Sequence, residues 1–416
     1  MTTRQFYIMF FIMVVSLKVQ KLPSLVSAGL GKDTYLLPLF FLIINLLLIV
    51  AAFFILNHLK KKNLISSNKS FFGKVFEKII EVGLAVYFLS QSLLLYESIQ
   101  NLFAHILFYE LPWTLFSLML TAAVFYLAVS GIKNIALNFE LYGGLIIVSY
   151  LIISIFGGVN TDFSSILPLE ETNLKLVFDS VIKFNLWFGD FFLVIFMGKS
   201  AKNIKLKWTA LVYAVAMLFV GLLYIEFFGI YKDYSPLKPS LISVLSEQSM
   251  LGVNIGRIDW FFILFTEIGT ILSSAACLYF SKQSIKQIFP KLKNYQILLG
   301  LVAVLYFVDV FYLVDTFKKE ELFLGRLTIL SLIVKMVSLV VMLLICFHEN
   351  IKSSKEKNNK KIAKKPKEYI KKIAKIKKMH PNSQILQKIK PKMICQKSQT
   401  TRQVTVWEES KNILVW

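Results

Sequence analysis

A polar segment, residues 16–31, interrupts the first apolar stretch of the chain. Lys18, Lys21 and Pro23 lie inside it. A charged side chain at the centre of a membrane helix costs about 3 kcal/mol on insertion scales, and proline removes a backbone donor. Such a segment is tolerated only where it faces protein or a water-filled cavity. It therefore predicts a functional break in the first helix. The alternative is a first helix that ends near Val15 and continues as an amphipathic surface segment.

Composition places the chain among polytopic membrane proteins. Hydrophobic residues make up 56% of its 416 residues, and the mean hydropathy is +0.63. Soluble domains are closer to about 45–50% apolar. The three cysteines are far apart in the sequence and predict neither a disulfide framework nor a metal site.

Apolar stretches near the length of about 20 residues that spans a bilayer can be counted along the chain. We expect ten spans, at about 6–28, 35–57, 82–108, 111–129, 137–157, 174–197, 207–230, 257–280, 296–315 and 325–347. Lysines cluster in the loops after the second, sixth and eighth spans, which places these loops in the cytoplasm. Both termini are then cytoplasmic. We predict an all-α transmembrane domain at 1–347 and a separate cytoplasmic tail at 348–416.

The tail carries most of the positive charge. Residues 351–416 contain 19 Lys and Arg against four Glu, which is +15 of the net +22. The spacing of apolar residues at 369–379 suggests a basic amphipathic helix on an anionic membrane surface, and a disordered tail is the alternative. Nucleic-acid binding is not expected, because no aromatic residues are interleaved to stack bases.

Two further spans carry acidic residues. In the third, Glu97 shares one helix face with Ser90, Asn101 and His105. Glu97 is either a proton-accepting or ligand-contacting carboxylate, or a structural partner of Lys18 or Lys21. In the middle of the sixth span, Gly189 and Asp190 follow Phe188.

The Gly–Asp pair suggests a second unwound point, because paired interrupted helices mark transporter sites. The first and sixth spans are five apart, as two inverted five-helix repeats require. The alternative is a packing role for Gly189 and a lysine partner for Asp190. The histidines lack metal-ligand spacing and no phosphate-binding loop is present, so we expect neither an enzyme nor a cofactor.

Several short motifs, taken in order, resemble one family. They are Thr2-Thr3-Arg4-Gln5-Phe6, Lys18 to Pro23-Ser24, Ala28-Gly29 with Asp33, Phe188-Gly189-Asp190 and Gly256-Arg257-Ile258-Asp259-Trp260. Over residues 1–347 the chain is similar to the endospore germination permease family, the GerAB-type B subunits of nutrient germinant receptors. The long basic tail is unusual for that family.

The resemblance implies a fold of the amino acid–polyamine–organocation superfamily, with two inverted five-helix repeats and broken first and sixth helices. It implies a small nutrient bound between the breaks, an inner spore membrane location, and association with an A subunit and a lipoprotein C subunit. The implied contacts are Ser16, Leu17, Lys18, Pro23, Phe188, Gly189 and Asp190. Ser16 replaces an expected glycine, and Asp190 replaces the more frequent Glu.

Three functional hypotheses follow. The first is a germinant-sensing subunit in which an amino acid or similar nutrient shifts a conformational equilibrium that partner subunits detect. The second is an amino acid transporter of the same fold, coupled to protons through Glu97 or Asp190. The third is a membrane scaffold that works through its cationic tail.

Overall fold

A computed structural model describes residues 1–59, 73–103, 112–166, 173–238, 259–310 and 325–340. Within these ranges the chain forms helices and no strands. The predicted tail, His105 and the motif residues 256–258 lie outside the described residues, so the predicted division at residue 348 stays a prediction.

The α-helices follow one another along the chain with short 3₁₀ turns between some of them. They are α1 Thr3–Val19, α2 Leu22–Leu30, α3 Leu36–Leu59, α4 Gly73–Leu102, α5 Trp113–Ser130, α6 Ile132–Val159, α7 Leu174–Lys183, α8 Asp190–Ser200, α9 Leu206–Tyr231, α10 Asp259–Ile288 and α11 Asn294–Val308. Residues 325–340 form a further helix, α12.

Helix α1 lies in the centre of the described helices. It packs against α4, α6, α8, α9 and α10, and from Ile12 to Val19 every side chain is buried. A helix buried on all sides is expected to be apolar all round, and the sequence of α1 is apolar from Phe6 to Val15, while the polar Ser16 and Lys18 are buried near its C-terminal end. The surface-segment alternative for residues beyond Val15 is therefore wrong.

The first helix breaks where the polar segment predicted. Gln20 and Lys21 separate α1 from α2, and Pro23 lies in the first turn of α2. Proline is tolerated there because the amide at this position has no partner within the helix. The interruption thus leaves α1 regular up to Val19.

The sixth predicted span is also broken. Helix α7 ends at Lys183, a 3₁₀ turn covers Asn185–Trp187, and α8 begins at Asp190 with a bend of 61° between the two halves. Helices α1 and α8 run antiparallel, because Thr3 hydrogen-bonds the carbonyl of Lys202 at one end while Lys18 meets Asp190 at the other. The two breaks consequently lie side by side.

The number of membrane spans is only partly established. Six helical segments of the described chain are long and apolar enough to cross a membrane, and the bent α7–α8 pair makes seven if counted as one span. The six are Leu22–Phe54, Lys78–Leu102, Trp113–Ser130, Ile132–Val159, Leu206–Leu237 and Phe261–Ile288. Helix α1 has 17 residues and α11 has 15, which is short for an unbroken span. Ten spans in two inverted repeats stay a prediction.

Apolar side chains face outward on these long helices. Leu47, Met119, Leu141 and Ile155 are each more than 60% exposed. A surface of this kind is expensive in water and suits contact with lipid tails. The chain is therefore a multi-pass membrane protein, and the part of it that the structure describes is helical.

Candidate functional site

A buried ion pair joins the two broken helices. The Lys18 ammonium lies 2.8 Å from Oδ1 of Asp190, and the two side chains are 0% and 1% exposed. Asp190 lies in the first turn of α8, where the helix dipole favours a negative charge. Lys18 lies in the last turn of α1, where the dipole favours a positive one. Helix ends thus support both charges.

The second carboxylate oxygen of Asp190 has neutral partners. The Tyr213 hydroxyl donates to Oδ2 at 3.1 Å, and the Asn45 amide lies 3.5 Å from the same oxygen. Asn45 also donates to the Tyr213 hydroxyl at 2.9 Å. Helices α3 and α9 therefore hold the carboxylate in place from the side away from Lys18.

An aromatic ring and a backbone carbonyl also lie near the Lys18 ammonium. Its ammonium lies 5.2 Å from the centre of the Phe188 ring and donates to the Val14 carbonyl at 3.2 Å. Phe188 stacks on Phe41 with ring centres 3.8 Å apart. Tyr224 donates to the Lys18 carbonyl at 2.7 Å, which satisfies a backbone acceptor that the break leaves without a helical partner.

Gly189 allows a close approach at the second break. A Cβ atom at this position would collide with the Tyr87 hydroxyl and lie 2.8 Å from Cε of Lys335. Gly189 is thus a packing contact, as the alternative interpretation expected. Lys335, from α12, donates to the carbonyl and side-chain oxygens of Asn185 in the same break.

A second lysine–carboxylate pair lies next to the first break. The Lys21 ammonium is 2.9 Å from Oε1 of Glu97, with exposures of 17% and 7%. Asn101 donates to the same oxygen at 3.4 Å. Of the two partners open to Glu97 in the sequence, the structure therefore selects Lys21.

The other predicted contacts are distributed around the first break. Ser16 shares a 3.1 Å hydrogen bond with the Tyr150 hydroxyl of α6. Leu17 is buried in the apolar core, and Pro23 lies in the first turn of α2. The structure thus brings Lys18, Phe188 and Asp190 together and leaves Ser16, Leu17, Pro23 and Glu97 outside this group. Ligand binding by any of them stays a prediction.

Sequence reasoning missed several residues of the site. A sequence feature could have identified Asn45, since it is the only polar side chain between Leu36 and Leu56. No such feature distinguishes Tyr213 and Tyr224, because tyrosines are common in membrane helices. The sequence also did not predict the hydrogen bond from Gln20 to Glu267, in which the Gln20 amide donates to Oε1 at 2.7 Å.

Comparison with known proteins matches the sequence to a family. No curated protein matched the chain. A family model described as spore germination protein, the spore permease family, matches residues 1–318, which include both breaks and the ion pair. Because this match covers more than half of the sequence, the chain belongs to the spore germination protein family.

Proposed function

We propose that the protein is a nutrient germinant receptor subunit that binds a small nutrient, an amino acid in our view, at the two helix breaks. The observation that carries the proposal is the Lys18–Asp190 pair, which is completely buried and connects both broken helices. Membership of a spore germination family supplies the biological setting.

A buried ion pair is seldom there for stability alone. Removing two charges from water costs several kcal/mol per ion, and apolar replacements are often as stable or more stable. Intramembrane charges are by default candidates for a functional site. The helix breaks bring together buried groups of both signs, which suits a zwitterionic amino acid.

Burial also couples ligand binding to a change of conformation. Lys18 and Asp190 are out of contact with solvent, so a ligand reaches them only when α1, α8 or their neighbours move. A ligand shifts such an equilibrium by its difference in affinity for the two states. Partner subunits, which we expect to be the A and C subunits of a receptor complex in the spore inner membrane, would detect the shifted state.

Proton-coupled amino acid transport is the alternative function. In the structure both candidate proton acceptors, Glu97 and Asp190, are paired with lysines. Each would have to leave an ion pair in order to take up a proton, which favours the receptor. Uptake of labelled amino acids into vesicles separates the two functions, because a receptor produces a response without accumulation of the nutrient.

Germination of spores with altered ion pairs tests the proposal. Wild-type spores, Asp190→Asn spores and spores with the double substitution Lys18→Met/Asp190→Leu are exposed to single amino acids and sugars, and loss of refractility is followed. The double variant removes both charges and leaves neither unpaired. We expect it to reach near-normal abundance in the membrane and yet to lose the response to a nutrient that wild-type spores detect.

A matched control comes from the exposed pair Lys232–Asp162, which has the same 2.8 Å separation. Spores with Asp162→Asn should respond like wild type. A normal nutrient response by the double variant would show that the pair is only structural and would refute the proposal.

A further inference from the structure

The polar groups around the second break include two lysines and one carboxylate. Two lysines from opposite ends of the described chain, Lys18 in α1 and Lys335 in α12, reach the break that contains one carboxylate, Asp190. The carboxylate is already paired with Lys18, so among the described groups at the break Lys335 is the lysine without an ion pair.

The two lysines differ in what they contact. Lys18 forms an ion pair with Asp190 at 2.8 Å. Lys335 has neutral acceptors: it donates to the backbone oxygen of Asn185 and, at 3.2 Å, to its side-chain oxygen, and it lies 5.3 Å from the centre of the Tyr87 ring. Carbonyl oxygens and a ring solvate an ammonium without neutralising it. Lys335 is also only 6% exposed.

This difference decides which lysine can accept a carboxylate. Lys18 would have to give up an ion pair, whereas Lys335 would exchange a carbonyl for a charged acceptor. Hydrogen bonds between two charged groups are about twice as strong as neutral ones. The exchange is therefore favourable at Lys335 and at best neutral at Lys18.

We infer that Lys335 binds the carboxylate of the nutrient, so that the site accepts amino acids and other carboxylates and rejects sugars, nucleosides and amides. This inference rests on the proposed function and adds the ligand class and the residue that selects it. The Asn185 oxygens that Lys335 leaves lie within the unwound turn. Binding of a carboxylate would thus release a contact that holds the second break, and so link recognition to the shape of the α7–α8 helix.

The test compares each amino acid with its amide. Wild-type spores are tested with the twenty L-amino acids, the carboxamide of every active one, glucose and inosine. We expect active compounds to carry a carboxylate, with amides weaker by about 10- to 100-fold in half-maximal concentration. Two results would overturn the inference. One is a response to glucose or inosine that is lost in Asp190→Asn spores, and the other is that amides are as potent as the acids in wild-type spores.

Substitution of the lysine then identifies the residue. Lys335→Met should raise the half-maximal concentration of the acid by about 10- to 100-fold and bring the ratio of acid to amide near one. If Lys335→Met only lowered the abundance of the protein, the half-maximal concentrations of the acid and of its amide would rise equally. An unchanged ratio of acid to amide would therefore count against the inference. Immunoblots of spore membranes give the abundance of each variant.

Lys282→Met provides the matched control. Lys282 is another buried lysine, 7% exposed and 3.7 Å from the centre of the Tyr279 ring, but it lies in α10 near the C-terminal end of that helix. Its substitution should leave the ratio unchanged. If no response depends on Asp190, the proposed function fails and the inference falls with it. If Asp190 is required and Lys335→Met keeps the wild-type ratio, only the inference fails.

Discussion

Two lysine–aspartate pairs in this protein have the same separation and opposite surroundings. Lys18–Asp190 joins the helix breaks, and Lys232–Asp162 joins the end of α9 to the turn after α6. Nitrogen and oxygen are 2.8 Å apart in both. The side chains are 0% and 1% exposed in the first pair, and 53% and 45% exposed in the second.

The comparison shows that burial, rather than distance, decides what an ion pair does. Exposed pairs contribute little because water and salt screen them and side-chain entropy opposes them. A buried pair holds charges that neither partner can lose without leaving the other uncompensated. The inner pair is therefore the one that we propose as a switch, while the outer pair links the end of α9 to the turn after α6.

The largest loss of stability should come from removing one of the two charges of the inner pair. Asp190→Asn leaves the Lys18 ammonium buried without its counter-charge, and we expect a loss of about 3–5 kcal/mol in unfolding free energy. Asp162→Asn should lower the melting temperature only slightly, because this pair is exposed. Thermal unfolding of both variants in lipid nanodiscs measures the contrast. Equal melting temperatures for the two variants would remove the distinction between the pairs.

A smaller effect should follow when the second break, next to the inner pair, is overpacked without a change of charge. Gly189→Ala places a methyl group against the Tyr87 hydroxyl and Lys335, and overpacking of this kind costs about 1–3 kcal/mol. Gly221→Ala is the matched control, since no atom lies within 4 Å of a Cβ there and alanine favours the α9 helix by about 0.5–1 kcal/mol. A Gly189→Ala protein as stable as wild type would show that the break tolerates a side chain.

The positions of both breaks could be predicted from the sequence, but the pairing across them could not. Charged residues and a proline within apolar runs have a local cost, so Lys18, Pro23 and Asp190 marked the interruptions by themselves. Which lysine meets which carboxylate depends on how α1, α4 and α8 are placed relative to one another. Residues 18 and 190 are 172 positions apart, and such a contact leaves no trace in local periodicity.

The same limit applies to the unwound turn of the sixth span. The sequence pointed to Gly189 and Asp190, whereas the α-helix already ends at Lys183 and a 3₁₀ turn follows. A residue of α12 takes part in this turn, because Lys335 donates to the oxygens of Asn185. A lysine 150 positions away cannot be connected with that turn from the sequence.

An intermediate effect is expected for the pair of intermediate burial. Lys21→Met leaves the Glu97 carboxylate, which is 7% exposed, with Asn101 as a hydrogen-bond donor, and should cost about 1–2 kcal/mol of unfolding free energy. Glu97→Gln retains an oxygen acceptor and should cost less. Nanodisc unfolding measures both. A loss as large as that of Asp190→Asn would contradict a graded dependence on burial.

The smallest effect is confined to acid. The Lys232 ammonium, with Ser164, lowers the pKa of Asp162 to about 2, from an ordinary value of 3.8. A carboxyl whose pKa is lower in the folded state stabilises the fold above the unfolded pKa and loses that contribution as the pH falls through the folded pKa. The difference in melting temperature between wild type and Asp162→Asn should therefore be constant from pH 7 to about 5 and shrink from about pH 4 to 2. A difference that disappears already near neutral pH would mean that the pair does not hold the carboxylate in its charged form, and the contrast between an outer fastening and an inner switch would lose its electrostatic basis.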